Sequence, residues 1–128
     1  MVQARITKIF TFDAAHSLPE HKGQCADLHG HTYRLEVTIA RQNGELITNG
    51  SSAGMVMDFS DLKEIVNTEI LEKVNHKFLN DVFDFRTTSE NMSAYFYEVL
   101  QQKLVPIGVE VICLRLWETP TSYAEVGK

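Results

Sequence analysis

Two cysteines in 128 residues cannot build a disulfide framework; the count leaves room for a single bridge and no more. Cys113 lies in an alternating apolar run, where a thiol serves as a small packing group. Basic residues are also scarce, with 12 Lys and Arg against 17 Asp and Glu and a net charge of −5. Neutralising a phosphate backbone takes clustered cations, so nucleic acid is not an expected partner. A small phosphorylated ligand needs only a local set, for which Lys22, Arg34, Lys77 and Arg115 are the candidates. No apolar run is long enough to span a bilayer, and the N-terminus lacks the blocks of a signal peptide. The expectation is a soluble, cytoplasmic protein with no membrane partner. Internal repeats and low-complexity segments are absent. What is present is 44% hydrophobic content in a chain of one-domain length, so residues 1–128 are read as one globular domain with a real core.

The most informative stretch is Cys25-Ala-Asp-Leu-His29-Gly-His31, with His16 upstream. The run that follows, Thr32 to Ile39, alternates apolar Tyr33, Leu35, Val37 and Ile39 with more polar neighbours, the period of a half-buried strand. His29 and His31 enter it two residues apart and so point to one face, with Gly30 leaving the other face open. His16 ends a second alternating run that begins at Ile6. Paired as a hairpin, the two strands offer three imidazoles from one sheet face. Three nitrogens and an open position are what catalytic zinc uses. A lone histidine reads as an ordinary surface residue; the His-Gly-His pair with a nearby Cys and His reads as a metal site. Cys25 as a fourth ligand would close that site and make it structural.

Residues 42–54 are rich in Gly, Asn and Ser and read as a loop, followed by a short strand Met55–Phe59. Leu62, Ile65, Val66, Ile70, Leu71 and Val74 follow helical spacing, with Asp58 or Ser60 as cap. Thr87-Thr-Ser-Glu90 has the form of a capping box opening a second helix to Leu104, which Pro106 and Gly108 stop. A last strand, Val109 to Glu118, is apolar on both faces, which suggests cover on both sides or a subunit contact. Strands joined by hairpins and helices grouped together give an α+β class: an antiparallel sheet with two helices on one face. The other face, with Val111 and Trp117 poorly suited to water, points to oligomerisation.

Several strings, in order across nearly the whole chain, then carry a resemblance. They are F-T-F-D-A-A-H (Phe10 to His16), C-x-x-x-H-G-H-x-Y (Cys25 to Tyr33), G-M-V-M-D-F (Gly54 to Phe59), N-H-K-F-L-N-D (Asn75 to Asp81), T-S-E-N (Thr88 to Asn91) and L-W-E-T-P-T-S (Leu116 to Ser122). Together they resemble the family of 6-pyruvoyltetrahydropterin and 6-carboxytetrahydropterin synthases, most closely its bacterial carboxy-forming branch, which acts in queuosine and 7-deazapurine biosynthesis. The resemblance implies a tunnelling fold (T-fold), with trimers closing an oligomeric barrel and two trimers stacking into a homohexamer whose active sites lie between subunits. It implies a lyase acting on 7,8-dihydroneopterin triphosphate. The carboxy branch yields 6-carboxy-5,6,7,8-tetrahydropterin, acetaldehyde and triphosphate; the pyruvoyl branch eliminates triphosphate and keeps the three-carbon tail. A non-catalytic zinc- and pterin-binding T-fold protein is the reading of a different class, and binding alone would need neither Cys25 nor His76.

By the same resemblance His16, His29 and His31 bind Zn2+, Cys25 is the general base and His76 its partner acid/base, delivered from a neighbouring subunit. A general base of this kind needs its thiolate stabilised by nearby positive charge. Glu118 anchors the pterin, since one carboxylate can accept from a ring N–H and the adjacent amino group together. Thr88, Ser89 and Glu90 are placed beside the ring, although helix capping alone explains them. One position departs from the pattern: Asn75 stands where the family commonly has Asp before His76. An Asn oxygen can accept from an imidazole N–H and orient it, but cannot stabilise an imidazolium as a carboxylate does.

Overall fold

In the computed structural model, which describes residues 2–128, the alternation of the first two apolar runs is realised as a long antiparallel hairpin. Strand β1 (Ile6–His16) pairs with β2 (His29–Arg41), with Phe12 opposite Tyr33, Ala14 opposite His31 and His16 opposite His29. The inward residues Phe10, Phe12, Tyr33, Leu35, Val37 and Ile39 are buried. Phe12 stacks on Tyr33 with ring centroids 4.8 Å apart and meets Phe96 edge-on at 6.3 Å. Such pairs each contribute about 0.5–1.5 kcal/mol beyond area burial, which makes a stiff floor at the histidine end of the hairpin.

The loop after β2 leads to Val56 and Met57, which are buried but form no strand. Gly54, at φ 82°, turns the chain in, and Asp58 at once caps helix α1, so the expected strand at Met55–Phe59 is instead a hydrophobic plug. Helix α1 spans Phe59–Val66; Asp58 Oδ1 accepts from the Ser60 N–H at 2.8 Å. It continues through a π-helical segment, Asn67–Leu71, into a last turn, Glu72–Val74. Its buried residues Leu62, Val66, Ile70 and Val74 recur every fourth position. A strict four-residue repeat outruns a straight α-helix by about 40° per step, and the wider π turn takes up part of that drift.

Two short elements follow: β3 (Lys77–Phe78) and the single-turn helix α2 (Leu79–Val82). Helix α3 (Ser89–Leu104) buries Met92, Phe96, Leu100 and Leu104 and packs on β4 (Val109–Thr119) and β5 (Ser122–Gly127). The strand order is β3-β1-β2-β4-β5. The sheet is mixed rather than purely antiparallel, because β3 runs parallel to β1 at Ala14 and Ala15. The two main helices lie on one face, as expected of the α+β class. Strand β5 has no counterpart among the sequence expectations. Ser122, Tyr123 and Glu125 are exposed and Ala124 and Val126 only half-buried, which gives too weak an apolar period to mark a strand.

In strand β4 part of the two-faced apolar pattern comes from a bulge: Thr38 pairs with Cys113 and Ile39 with Val111, leaving Ile112 as an extra residue. Val109 and Val111 before it, and Leu114 and Leu116 after it, therefore all face the core. Gly127 lies against this bulge, where a Cβ would overlap the Ile112 carbonyl oxygen and crowd Cys113 Cα at 3.1 Å. Cys113 is half-buried on the other face rather than part of the core. Among the described residues, no helix is long and apolar enough to cross a membrane.

Candidate metal centre

The hairpin brings His16 and His29 directly opposite each other, with His31 two residues along the same face. Their ring centroids lie 4.6 Å (His16–His29), 4.7 Å (His29–His31) and 5.3 Å (His16–His31) apart. Each of two rings spends one nitrogen on a carbonyl: His16 Nδ1 donates to Thr87 O at 2.9 Å, and His29 Nδ1 donates to Asp27 O at 2.7 Å. A carbonyl only accepts, so the proton sits on Nδ1 and the Nε2 lone pair is free. Among the described residues, the Nε2 atoms of all three histidines are buried without a hydrogen-bond partner.

Glu118 completes the group. Its Oε1 lies 3.3 Å from His16 Nε2 and 3.4 Å from His31 Nε2, close in charge but without hydrogen-bond geometry at the ring nitrogens. One ligand atom from each of His16, His29, His31 and Glu118 falls within 4.8 Å of the others. Two free imidazole lone pairs, a third ring nitrogen and a carboxylate gathered this closely suit a divalent cation. Cys25 is not a member of the group, which argues against a site closed by its thiol. Contact with His16, and then the nearby His31, holds the Glu118 carboxyl below its ordinary value, against the effect of burial. Burial pushes the His31 imidazole down, and Glu118 opposes it.

Glu118 sits where β4 leaves its regular ladder with β5, between Trp117 opposite Tyr123 and Thr119 opposite Ser122. Bulges of this kind re-aim side chains beside active sites. The carboxylate borders two cavities. One, of about 310 Å³, is also lined by Ser89, Glu90 and Tyr123; the other, of about 510 Å³, by His31, Arg34 and Trp117. Two buried hydroxyls, Ser89 Oγ and Tyr33 Oη, have no partner among the described residues. Thr88 stays apart from the cavities, with its hydroxyl accepting from the Asn91 N–H at 3.2 Å as the cap of α3. The cap is thus Thr88 and not Thr87, which frees buried Thr87 to hold His16.

Cys25 lies half-buried in a short 3₁₀ turn, Gln24–Ala26, whose approach is tied by the Leu18 N–H to Cys25 O bond at 2.8 Å. His76 has φ 62°, an uncommon conformation for a side-chain-bearing residue, and its N–H donates to Asp13 O at 2.6 Å. Asn75 does not orient the ring. Its Oδ1 accepts from the Asp13 N–H at 3.1 Å, and the carboxylate facing His76 is Asp13, with Oδ2 4.0 Å from Nε2. Thr32 fixes that carboxylate by donating to Oδ1 at 2.5 Å. His76 and His31 line one open cavity of about 600 Å³ with Asp13 and Lys77. Asp13, Thr87 and Tyr33 carry no site role in the sequence expectations, although Asp13 and Tyr33 stand inside the quoted motifs.

A sheet face that gathers three imidazoles and a carboxylate beside polar cavities defines a candidate divalent-metal centre of the kind an enzyme uses. The model of the 6-pyruvoyl tetrahydropterin synthase family matches residues 5–128, and the chain belongs to that family. It is 37% identical to the 6-carboxy-5,6,7,8-tetrahydropterin synthase of Haemophilus influenzae, covering 94% of this chain and 96% of the relative. The enzyme of the same name from Synechocystis is 42% identical over 93% and 89% of the two chains. The solved structure of Caenorhabditis elegans 6-pyruvoyl tetrahydropterin synthase superposes with a TM-score of 0.79 at 26% identity, covering 100% of this chain and 99% of that one.

Proposed function

We propose that this chain is a zinc-dependent, cytoplasmic 6-carboxy-5,6,7,8-tetrahydropterin synthase of queuosine and 7-deazapurine biosynthesis. Its substrates are 7,8-dihydroneopterin triphosphate and one water, and its products are the carboxypterin, acetaldehyde and triphosphate. The observation that carries the reading is the set of three buried Nε2 atoms, two of them left free by carbonyl-bound Nδ1 protons, beside a carboxylate that borders the cavities. His16, His29 and His31 hold the zinc, which supplies Lewis acidity toward the oxygens of the substrate side chain.

Glu118 accepts the ring N–H and the neighbouring amino group, with Ser89 Oγ and Glu90 lining the same cavity. Cys25 removes a proton from the tail carbon, and His76 returns one, steadied by Asp13 in place of the usual preceding Asp. His76 is well exposed beside edge strand β3, which suits an active site shared between subunits. The exposed Ile9 and Tyr123 fit a homohexamer of two stacked trimers. The pyruvoyl-forming reaction is the second reading, favoured by the likeness to the nematode synthase. Incubation of zinc-loaded protein with 7,8-dihydroneopterin triphosphate, followed by acetaldehyde assay and mass analysis of the pterin, tests it. Acetaldehyde with the carboxypterin is expected; a pyruvoyl product without acetaldehyde would transfer the assignment to the second reading.

A further inference from the structure

Strand β1 has unequal support at its histidine end. On one side β2 pairs with it as far as His16, while on the other β3 pairs only at Ala14 and Ala15. After Phe78 the chain turns into α2, so β3 does not continue alongside Ser17. Asn80, on α2, supplies the missing partner with its side chain. Its Oδ1 accepts from the Ser17 N–H at 3.0 Å, and its Nδ2 donates to Ser17 O at 3.0 Å and approaches Ser17 Oγ at 3.4 Å. A carboxamide presents one acceptor and a donor, as a peptide group does, so the ladder is extended by a side chain.

Ser17 is the joint between two parts of the site. Its preceding neighbour is the buried ligand His16, and its following neighbour, Leu18, donates to Cys25 O. We propose that Asn80 is a positioning residue that fixes the His16 imidazole and the root of the Cys25 loop relative to each other. This role rests on the metal-site reading above. Groups that hold a ligand in place typically change metal affinity by on the order of 10- to 100-fold when removed.

The test compares Asn80→Asp, Asn80→Ala and Gln42→Ala in the full chain by titration with Co2+, following the visible absorption band and competition with a chelator. Asn80→Asp is nearly isosteric and keeps the acceptor for Ser17 N–H, but sets a carboxylate oxygen against Ser17 O. Gln42 is a comparable backbone clamp remote from the site, donating to Val105 O at 2.9 Å and Val109 O at 3.1 Å. The expected result is Co2+ binding weakened on the order of 10- to 100-fold, with an altered band, in both Asn80 variants, and wild-type binding in Gln42→Ala. Should Asn80→Ala fail to fold, Asn80→Asp carries the reading. Unchanged Co2+ binding in Asn80→Asp, or equal weakening in Gln42→Ala, would overturn the positioning role alone. Wild-type protein that binds no Co2+ would overturn the metal site and this role with it.

Discussion

Replacing Glu118 by Gln alters one atom and removes the charge at the junction of the metal group and both cavities. A carboxylate accepting from a ring N–H and an adjacent amino group makes two charge-assisted hydrogen bonds, each contributing about 1.5–3 kcal/mol. The amide keeps one acceptor and turns an NH₂ toward a donor. The expected loss is about 3 kcal/mol, roughly 150-fold in pterin affinity. The three imidazoles remain, so zinc content should stay near one per chain. Isothermal titration with a non-reacting pterin, alongside zinc determination by atomic absorption, separates the two roles. A pterin Kd within about threefold of wild type, together with lost zinc, would refute the ring-anchor reasoning and make Glu118 the fourth ligand.

His76→Ala should lower kcat on the order of 10²- to 10⁴-fold while zinc content is retained, checked by steady-state kinetics and metal analysis; a kcat near wild type would remove His76 from proton transfer. The metal-free protein should lose thermal stability in acid in two stages. His31 is held below its ordinary 6.5, so the folded state resists a proton that the unfolded chain takes up, and stability declines as pH falls below 6.5. Glu118 is held below its ordinary 4.5, so its contribution, complete above that value, is lost as pH falls further. Melting curves across that range check the sign, and a melting temperature that rose on acidification from pH 6.5 would contradict it.

The hairpin and its three histidines were legible because period-two alternation fixes which side chains share a face, and His29 and His31 keep that period. The stripe of α3 was legible for the same kind of reason at helical spacing. Other features have no local signature. A two-residue strand such as β3 carries no period, and the contacts of Asp13 with Asn75 and of Ser17 with Asn80 join residues more than sixty positions apart. The capping pattern fitted both Thr87 and Thr88, and only tertiary packing decides that the first turns inward to His16. Glu118 was singled out only through the resemblance, as a pterin anchor, and its place among the imidazoles depends on how β4 pairs on both of its edges.

The extra residue at Ile112 shifts the numbering of β4 without shifting its faces. Because residue 112 has no partner on β2, Val111 and Leu114 stand three apart in sequence yet follow one another on the core face, and Leu114, Leu116 and Glu118 continue the face that Val109 and Val111 begin. Removing residue 112 alone would restore plain alternation, Val111, Cys113, Leu114, and leave the carboxylate where it is. Removing one residue between Leu114 and Glu118 would instead turn one of those two side chains to the opposite face. The chemistry at one end of the strand thus sets where a change of length can be absorbed: at the bulge, and not beyond it.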